Sequence, residues 1–184
     1  MAVVVVEGPT YSPTLADLKV HLGVEHTEHD ALITGFRDAA CAHLDGPSGI
    51  LGRSIWPQTL ELRTDAFEDE IALSYGPVTD IVSVTYIDSD GAEQTVAAED
   101  YALLSGDVLA PAYGGSWPTP RGGAEDVVVQ YGAGFATVPS PLLVAVNLMV
   151  AHFYANREAV GAADLKELPL GVTALIAPYR TVKV

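Results

Sequence analysis

The spacing of hydrophobic residues changes period twice along this chain. Leu15, Leu18 and Leu22 recur at helical spacing behind Thr14. Thr14 with Asp17 makes the Ser/Thr-x-x-acid capping pattern, and Gly23 is a natural stop. Thr27 with Asp30 repeats that pattern, and Leu32, Ile33, Phe36, Ala40 and Leu44 follow on one face as far as Gly46-Pro47. Two short amphipathic helices joined by VEHTEH predict a helical hairpin. The four valines ahead of it, Val3 to Val6, predict a strand or an ordering arm.

From Ile55 the period becomes two. TLELRTD places Leu60 and Leu62 on one side. In GPVTDIVSVTYIDSDGAEQTV, Val82, Val84 and Tyr86 alternate with Ser83, Thr85 and Ile87, and Asp90-Gly91 is a hairpin signal. Val127 to Tyr131 predicts another strand, and LAPAYGGSWPTPRGG between them reads as a Gly/Pro-rich loop.

At Pro139 the pattern turns helical again, with Ser140 as the expected N-cap and Pro141 at the first helical position. Leu142 to Tyr154 is apolar on nearly every face, broken only by Asn147 and His152. A helix apolar all round is buried on all sides, in its own core or against a neighbouring subunit. Leu143, Val146, Asn147, Val150, Phe153 and Tyr154 are therefore candidate packing residues. The fold class expected is α+β, a helical core with a β-rich insertion. Residues 1–54 would form an arm and helical hairpin, residues 55–136 the insertion, and residues 137–184 the helices that complete the core.

The chain closes on ELPLGVTALIAPYR. Pro169 can open a helix, Val172, Leu175, Ile176 and Tyr179 share one side, and Pro178 limits it to about two turns. So short a helix is not stable alone. Leu168, Leu170, Val172, Leu175, Ile176, Tyr179 and Arg180 are accordingly expected to pack on another surface. The surfaces open to them are a neighbouring subunit, another protein, or the chain's own core, which they would cover as a lid.

Charge narrows the partners. Asp and Glu number 24 against 9 Lys and Arg, a formal net of −15, and no three basic residues cluster. Nucleic-acid binding needs basic patches, so neither DNA nor an anionic membrane is expected to be gripped. A composition 49% hydrophobic and 18% charged is that of a globular protein, and no apolar run reaches the ~18 residues of a spanning helix. The N-terminus lacks the basic region of a secretory signal. The single cysteine, Cys41, excludes an intramolecular disulfide framework and reads as a buried small residue.

Chemistry is sparse. His26 and His29 could present two imidazoles to a divalent cation, but no third ligand pattern accompanies them, and an acidic first turn beside a cap explains EHTEHD. His152 has no identifiable nucleophile or orienting acid and reads as a hydrogen-bonded core histidine. GAGFA lacks the spacing and lysine of a nucleotide loop and reads as a bent strand end. The aromatics of SYGP and YGGSWP are either contact anchors or plugs at the end of a sheet. No catalytic residue, metal ligand or cofactor site is assigned.

Taken in order, TLADLKVHLGVEHTEHDALI, IWPQTLEL, GPVTDIVSVTYIDSDGAEQ, LAPAYGGSWPTPR, VVVQYGAGF, VPSPLLVAVNLMVAHFYANREA and ELPLGVTALIAPYR resemble the head-tail connector (adaptor) proteins of long-tailed double-stranded DNA phages and gene transfer agents. The resemblance runs from about Thr14 to Arg180. It implies a structural virion protein made in the bacterial cytoplasm and located in the particle neck. Such proteins form rings, typically of twelve copies, beneath the portal protein. The ring extends the DNA channel, through which DNA passes without specific binding, and offers an attachment surface to stopper or tail proteins. Twelve copies would sum to about −180, which suits a channel that must not hold DNA. The alternatives are another neck or tail-completion protein, and a small metal-dependent hydrolase.

Overall fold

The computed structural model describes residues 1–157 and 170–181. It is α+β, with four α-helices and two antiparallel sheets among the described residues. The chain divides into two compact units: residues 1–10 with 57–136, and residues 11–56 with 137–184. The first ten residues therefore belong with the sheets and not with the helices, a correction to the expected N-terminal arm.

In the β unit, strands β1 (Ala2–Glu7), β2 (Gln58–Thr64), β8 (Val127–Ala133), β4 (Val78–Ile87) and β5 (Glu93–Thr95) form one sheet in that order. Strands β3 (Ile71–Ala72), β7 (Val108–Pro111) and β6 (Tyr101–Leu104) form the second, in the order β3-β7-β6. Alternation aims Leu60, Leu62, Val84, Val129 and Tyr131 into one core, where they meet Ile71, Leu73 and Leu109 from the smaller sheet. The expected phase of β4 fails at Val82, which is 53% exposed while Val84 is buried. A register shift between Ile81 and Ser83 is the cause: the extra residue turns outward and resets the alternation. The Gly/Pro-rich stretch is also less irregular than expected, because its first residues, Leu109 to Pro111, belong to β7.

Turn chemistry fixes the hairpins. Asp90-Gly91 joins β4 to β5, with Gly91 at φ 81° and the Asp88 carboxylate accepting from the amides of Asp90 and Ala92. Gly76 lies so close to the Asp107 carboxylate that a Cβ there would overlap it, and Asp107 in turn accepts from the Val78 amide at 2.8 Å.

In the helical unit, α1 (Leu15–Leu22) carries the complete capping box, with Asp17 N–H donating to Thr14 Oγ1 and Thr14 N–H donating to Asp17 Oδ2, and ends on Gly23 in the left-handed region. Helix α2 (Asp30–Leu44) departs from the pattern. Its N-cap is His29, without a side-chain cap bond, because Asp30 N–H closes a turn on the Thr27 carbonyl and the helix starts only there. Ile33, Ala40, Cys41 and Leu44 are buried, whereas Leu32 is 38% exposed. Helix α3 (Ser140–Ala155) departs in the opposite direction and starts one residue early: Pro139 is the N-cap, Ser140 is already helical, and no side chain caps it. Helix α4 (Leu170–Ile176) runs into a single 3₁₀ turn, Ala177–Tyr179, which contains Pro178. The proline permits the tighter turn and stops the α-helix.

Candidate functional site

Helix α3 carries no Asp, Glu, Lys or Arg, and most of its contacts are apolar. One side is used up: Leu142, Ala145, Val146, Met149 and Val150 are buried, and the helix packs on α1, α2 and α4. Phe153 meets Phe36 with ring centroids 5.9 Å apart. The other side is only partly covered among the described residues, which corrects the expectation of burial all round. Val144 is 44% exposed, and Leu148 and Ala151 follow it at helical spacing, both half-buried. Asn147 lies in the same stripe. Its Oδ1 is shut off from water and lacks a hydrogen-bond partner among the described residues. Such an atom is costly unless something pairs with it.

His152 is exposed, not a core histidine, and its Nδ1 lies 3.4 Å from Asn156 Nδ2. His29 Nδ1 and the Tyr154 hydroxyl form a 2.7 Å hydrogen bond, and Arg157 sits 4.1 Å over the Tyr154 ring. His26 packs edge-on against His29, 4.5 Å between ring centroids. Among the described residues no three His, Cys, Asp or Glu side chains come together in a way that could hold a metal ion. Cys41 is buried, and burial pushes its thiol well above the ordinary range, so the thiolate is suppressed.

The C-terminal segment turns out to pack on its own unit. Val172 is fully buried and Ile176 nearly so, on a helix that packs against α3. Thr181 N–H donates to the Leu51 carbonyl at 2.9 Å, and Arg53 Nε donates to Thr181 Oγ1 at 3.2 Å. What stays accessible is the half-buried pair Leu175 and Tyr179 and the exposed Arg180. Leu168 and Pro169 lie outside the described residues, as does the side chain of Leu170.

In the β unit the two aromatics of YGGSWP divide. Trp117 stacks on Phe67 at 4.7 Å and donates its indole N–H to the Glu68 carbonyl, so it plugs the sheet. Tyr113 on the same loop is fully exposed. Carboxylates are plentiful but not convergent. Glu61 is nearly buried and is held below the ordinary carboxylate range by the Gln130 side-chain bond and by Arg63, against the opposing effect of burial. Asp126 is buried too. Burial pushes its carboxyl up, but Arg121 and the Gly123 amide outweigh that and hold it low. Both are structural ties, and neither faces a nucleophile.

Charge is segregated in a way that composition conceals. Fifteen of the acids and only two of the basic residues fall in the β unit, a net of −13, against nine acids and seven basic residues in the helical unit, a net of −2. Both arginines of the β unit are engaged with its own carboxylates, Arg63 with Glu61 and Glu125, and Arg121 with Asp126.

An uncharged stripe on a helical unit of net −2 thus stands beside a strongly acidic composition of the sheet unit. No protein-family model matches the sequence, and no curated protein matches it. Solved structures do. The chain aligns over its full length, and over 97% of the other chain, with a protein in the neck of an empty GTA particle computed with C6 symmetry, at 27% identity and a TM-score of 0.74. It aligns equally fully with a chain of the virion of a native gene transfer agent (GTA) particle, at 27% identity and a TM-score of 0.75. A third match, in the neck of a native GTA particle computed with C12 symmetry, covers 97% of this chain and 96% of the other, at 26% identity and a TM-score of 0.69. The resemblance to connector proteins of phages and gene transfer agents therefore holds in three dimensions. Among the described residues no helix is long and apolar enough to cross a membrane.

Proposed function

We propose that this chain is a structural subunit of a particle neck: an adaptor that assembles as a ring under a portal protein, extends the DNA channel and presents a surface to stopper or tail proteins. The observation that carries the reading is the match, 27% identical and spanning both chains almost end to end, to a protein of the GTA particle neck. The cyclic symmetries of the two neck structures, C6 and C12, favour a closed ring, with twelve copies the expected number.

Within that reading the roles divide by chemistry. Copies touch through the helical unit, where the Val144–Ala151 stripe of α3 offers apolar area and the Asn147 side chain, once turned outward, can accept a donor that a neighbour supplies. Leu143, Phe153 and Tyr154, half-buried on the same helix, frame that contact, while Val146 and Val150 support it from the core. Among the expected contact residues of the C-terminal segment, Leu175, Tyr179 and Arg180 remain accessible and meet the portal or the next subunit, Arg180 pairing with a carboxylate there. Val172 and Ile176 hold the segment in place and do not touch the partner. DNA passes a ring of net negative charge without being bound. The role calls for neither a catalytic residue nor a cofactor.

Electron microscopy of the purified chain mixed with the portal protein of its own particle tests this. Rings capping the portal are the expected result. The absence of any ring, free or portal-bound, across protein and salt concentrations would overturn it.

A further inference from the structure

We propose that the outer edge of β1 is a docking site for an extended, basic segment of a different polypeptide, which adds a sixth strand to the five-stranded sheet. β1 pairs with β2 on one side only, so its second row of backbone donors and acceptors faces outward. Its sequence, AVVVVE, is close to ideal for strand formation. Val4, Val5 and Val6 are 48%, 41% and 53% exposed. Edge strands are ordinarily blunted by proline, lysine, an inward charge or a central bulge. β1 carries no charge before Glu7, and its one irregularity falls at its end, between Val5 and Glu7. The far side of the same sheet is protected in just those ways. β4 has two register shifts and an exposed Asp80, and β5 is only three residues long. One edge is closed to newcomers and the other is open.

Charge selects the occupant. A second copy pairing here would bring another sheet unit of net −13 alongside the first, and like charge disfavours that encounter. Copy-to-copy contact has a cheaper route through the helical unit of net −2. With both arginines of the β unit already engaged, the unit is acidic as a whole and Glu7 stands at the strand's end. A strand bearing lysine or arginine is attracted to it, and small apolar residues on alternate positions of that strand would lie beside Val4 and Val6. Main-chain hydrogen bonds give the affinity, and side-chain alternation gives the register. This inference does not depend on ring formation.

Amide exchange read by NMR on the full, isotope-labelled chain tests it, with a short synthetic peptide of alternating valine and lysine as the probe. A control peptide has the same sequence but is N-methylated at every residue, which removes the pairing donors of both its edges. The unmodified peptide is expected to slow exchange by about tenfold or more at those amides of Val4, Val5 and Val6 that point away from β2, and the methylated peptide to leave it unchanged. Unchanged exchange with both peptides would overturn the proposal. So would equal protection by both, which means attraction by charge alone. Protection of β1 that grows with the concentration of the chain by itself would also overturn it, by naming a second copy as the occupant. The readout needs no assembled ring, so its failure and the failure of the neck reading are separately visible.

Discussion

The backbone N–H of Thr181 donates to the carbonyl of Leu51, 2.9 Å away, and so ties the last described turn of the chain to the loop that follows α2. With Val172 and Ile176 buried, the C-terminal segment is a wall of the helical core before it is anything else. Ile176→Ala is expected to cost about 2–4 kcal/mol through lost burial and the cavity left behind. Removal of everything from Leu170 onward is expected to unfold the helical unit while leaving the β unit folded. Thermal unfolding followed by circular dichroism checks both, and an unchanged transition would show that α4 does not support the core.

Asn147 sets a test that separates folding from assembly. Its Oδ1 is desolvated and unpaired among the described residues, a state that costs about 1–3 kcal/mol. Asn147→Leu is therefore expected to leave the isolated chain as stable as before, or more so, and to weaken ring formation on the portal. Unaltered assembly in sedimentation of the chain with its portal would remove Asn147 from the subunit contact.

Arg180 and Leu175 probe the outward side of the same segment. Arg180 is exposed and Leu175 half-buried, so Arg180→Glu is expected to change the melting temperature little. It should reduce attachment to the partner about tenfold if the guanidinium pairs with a carboxylate there. A pull-down with the portal at two salt concentrations reads the effect, and equal recovery of both proteins would place the contact elsewhere.

Acid stability follows from the ties in the β unit. The carboxyls of Glu61 and Asp126 are both held below their ordinary values in the folded chain. Their contribution is therefore fully present above the unfolded carboxylate range, near pH 4, and is lost as pH falls through the lower folded values. Burial pushes the Tyr131 hydroxyl, which donates to the Ser74 carbonyl at 2.7 Å, the other way. Its contribution is present below about pH 10 and is lost as pH rises further. Glu61→Gln with Asp126→Asn should flatten the acid limb of a stability-against-pH curve and leave the alkaline limb alone. A double variant with an unaltered acid limb would contradict this.

Much of the fold was legible because local chemistry and tertiary packing agree. Thr14, Asp17 and Gly23 bound α1 where capping rules put them, and Leu60 and Leu62 are core because strict alternation leaves no other choice. The misses mark places where a local signal competed with something the sequence does not display. Thr27 looked like a cap, but a backbone turn delays α2 until Asp30. Val82 looked like a core residue until the extra residue in β4 shifted the phase. Strands β3, β6 and β7 are so short that their pairing, not their sequence, defines them. His152 read as buried because α3 is apolar nearly all round, yet one side of that helix is only partly covered among the described residues. That partly covered side is the most informative error, since it is what an assembly surface looks like when the assembly is absent. The orphaned Asn147 oxygen could not be read from sequence; only the inward-facing position of Asn147 on α3 hinted at it.

The claim that matters most is that this chain is a ring subunit whose copies meet through the near-neutral helical unit and not through the acidic sheets. Electron cryomicroscopy of the chain assembled on its portal measures that directly. The expected result is a cyclic ring in which Val144, Asn147 and Ala151 of each copy are covered by the next, with a donor within hydrogen-bonding distance of Asn147 Oδ1. A ring in which that stripe faces solvent and the five-stranded sheets of neighbouring copies pair instead would contradict the account.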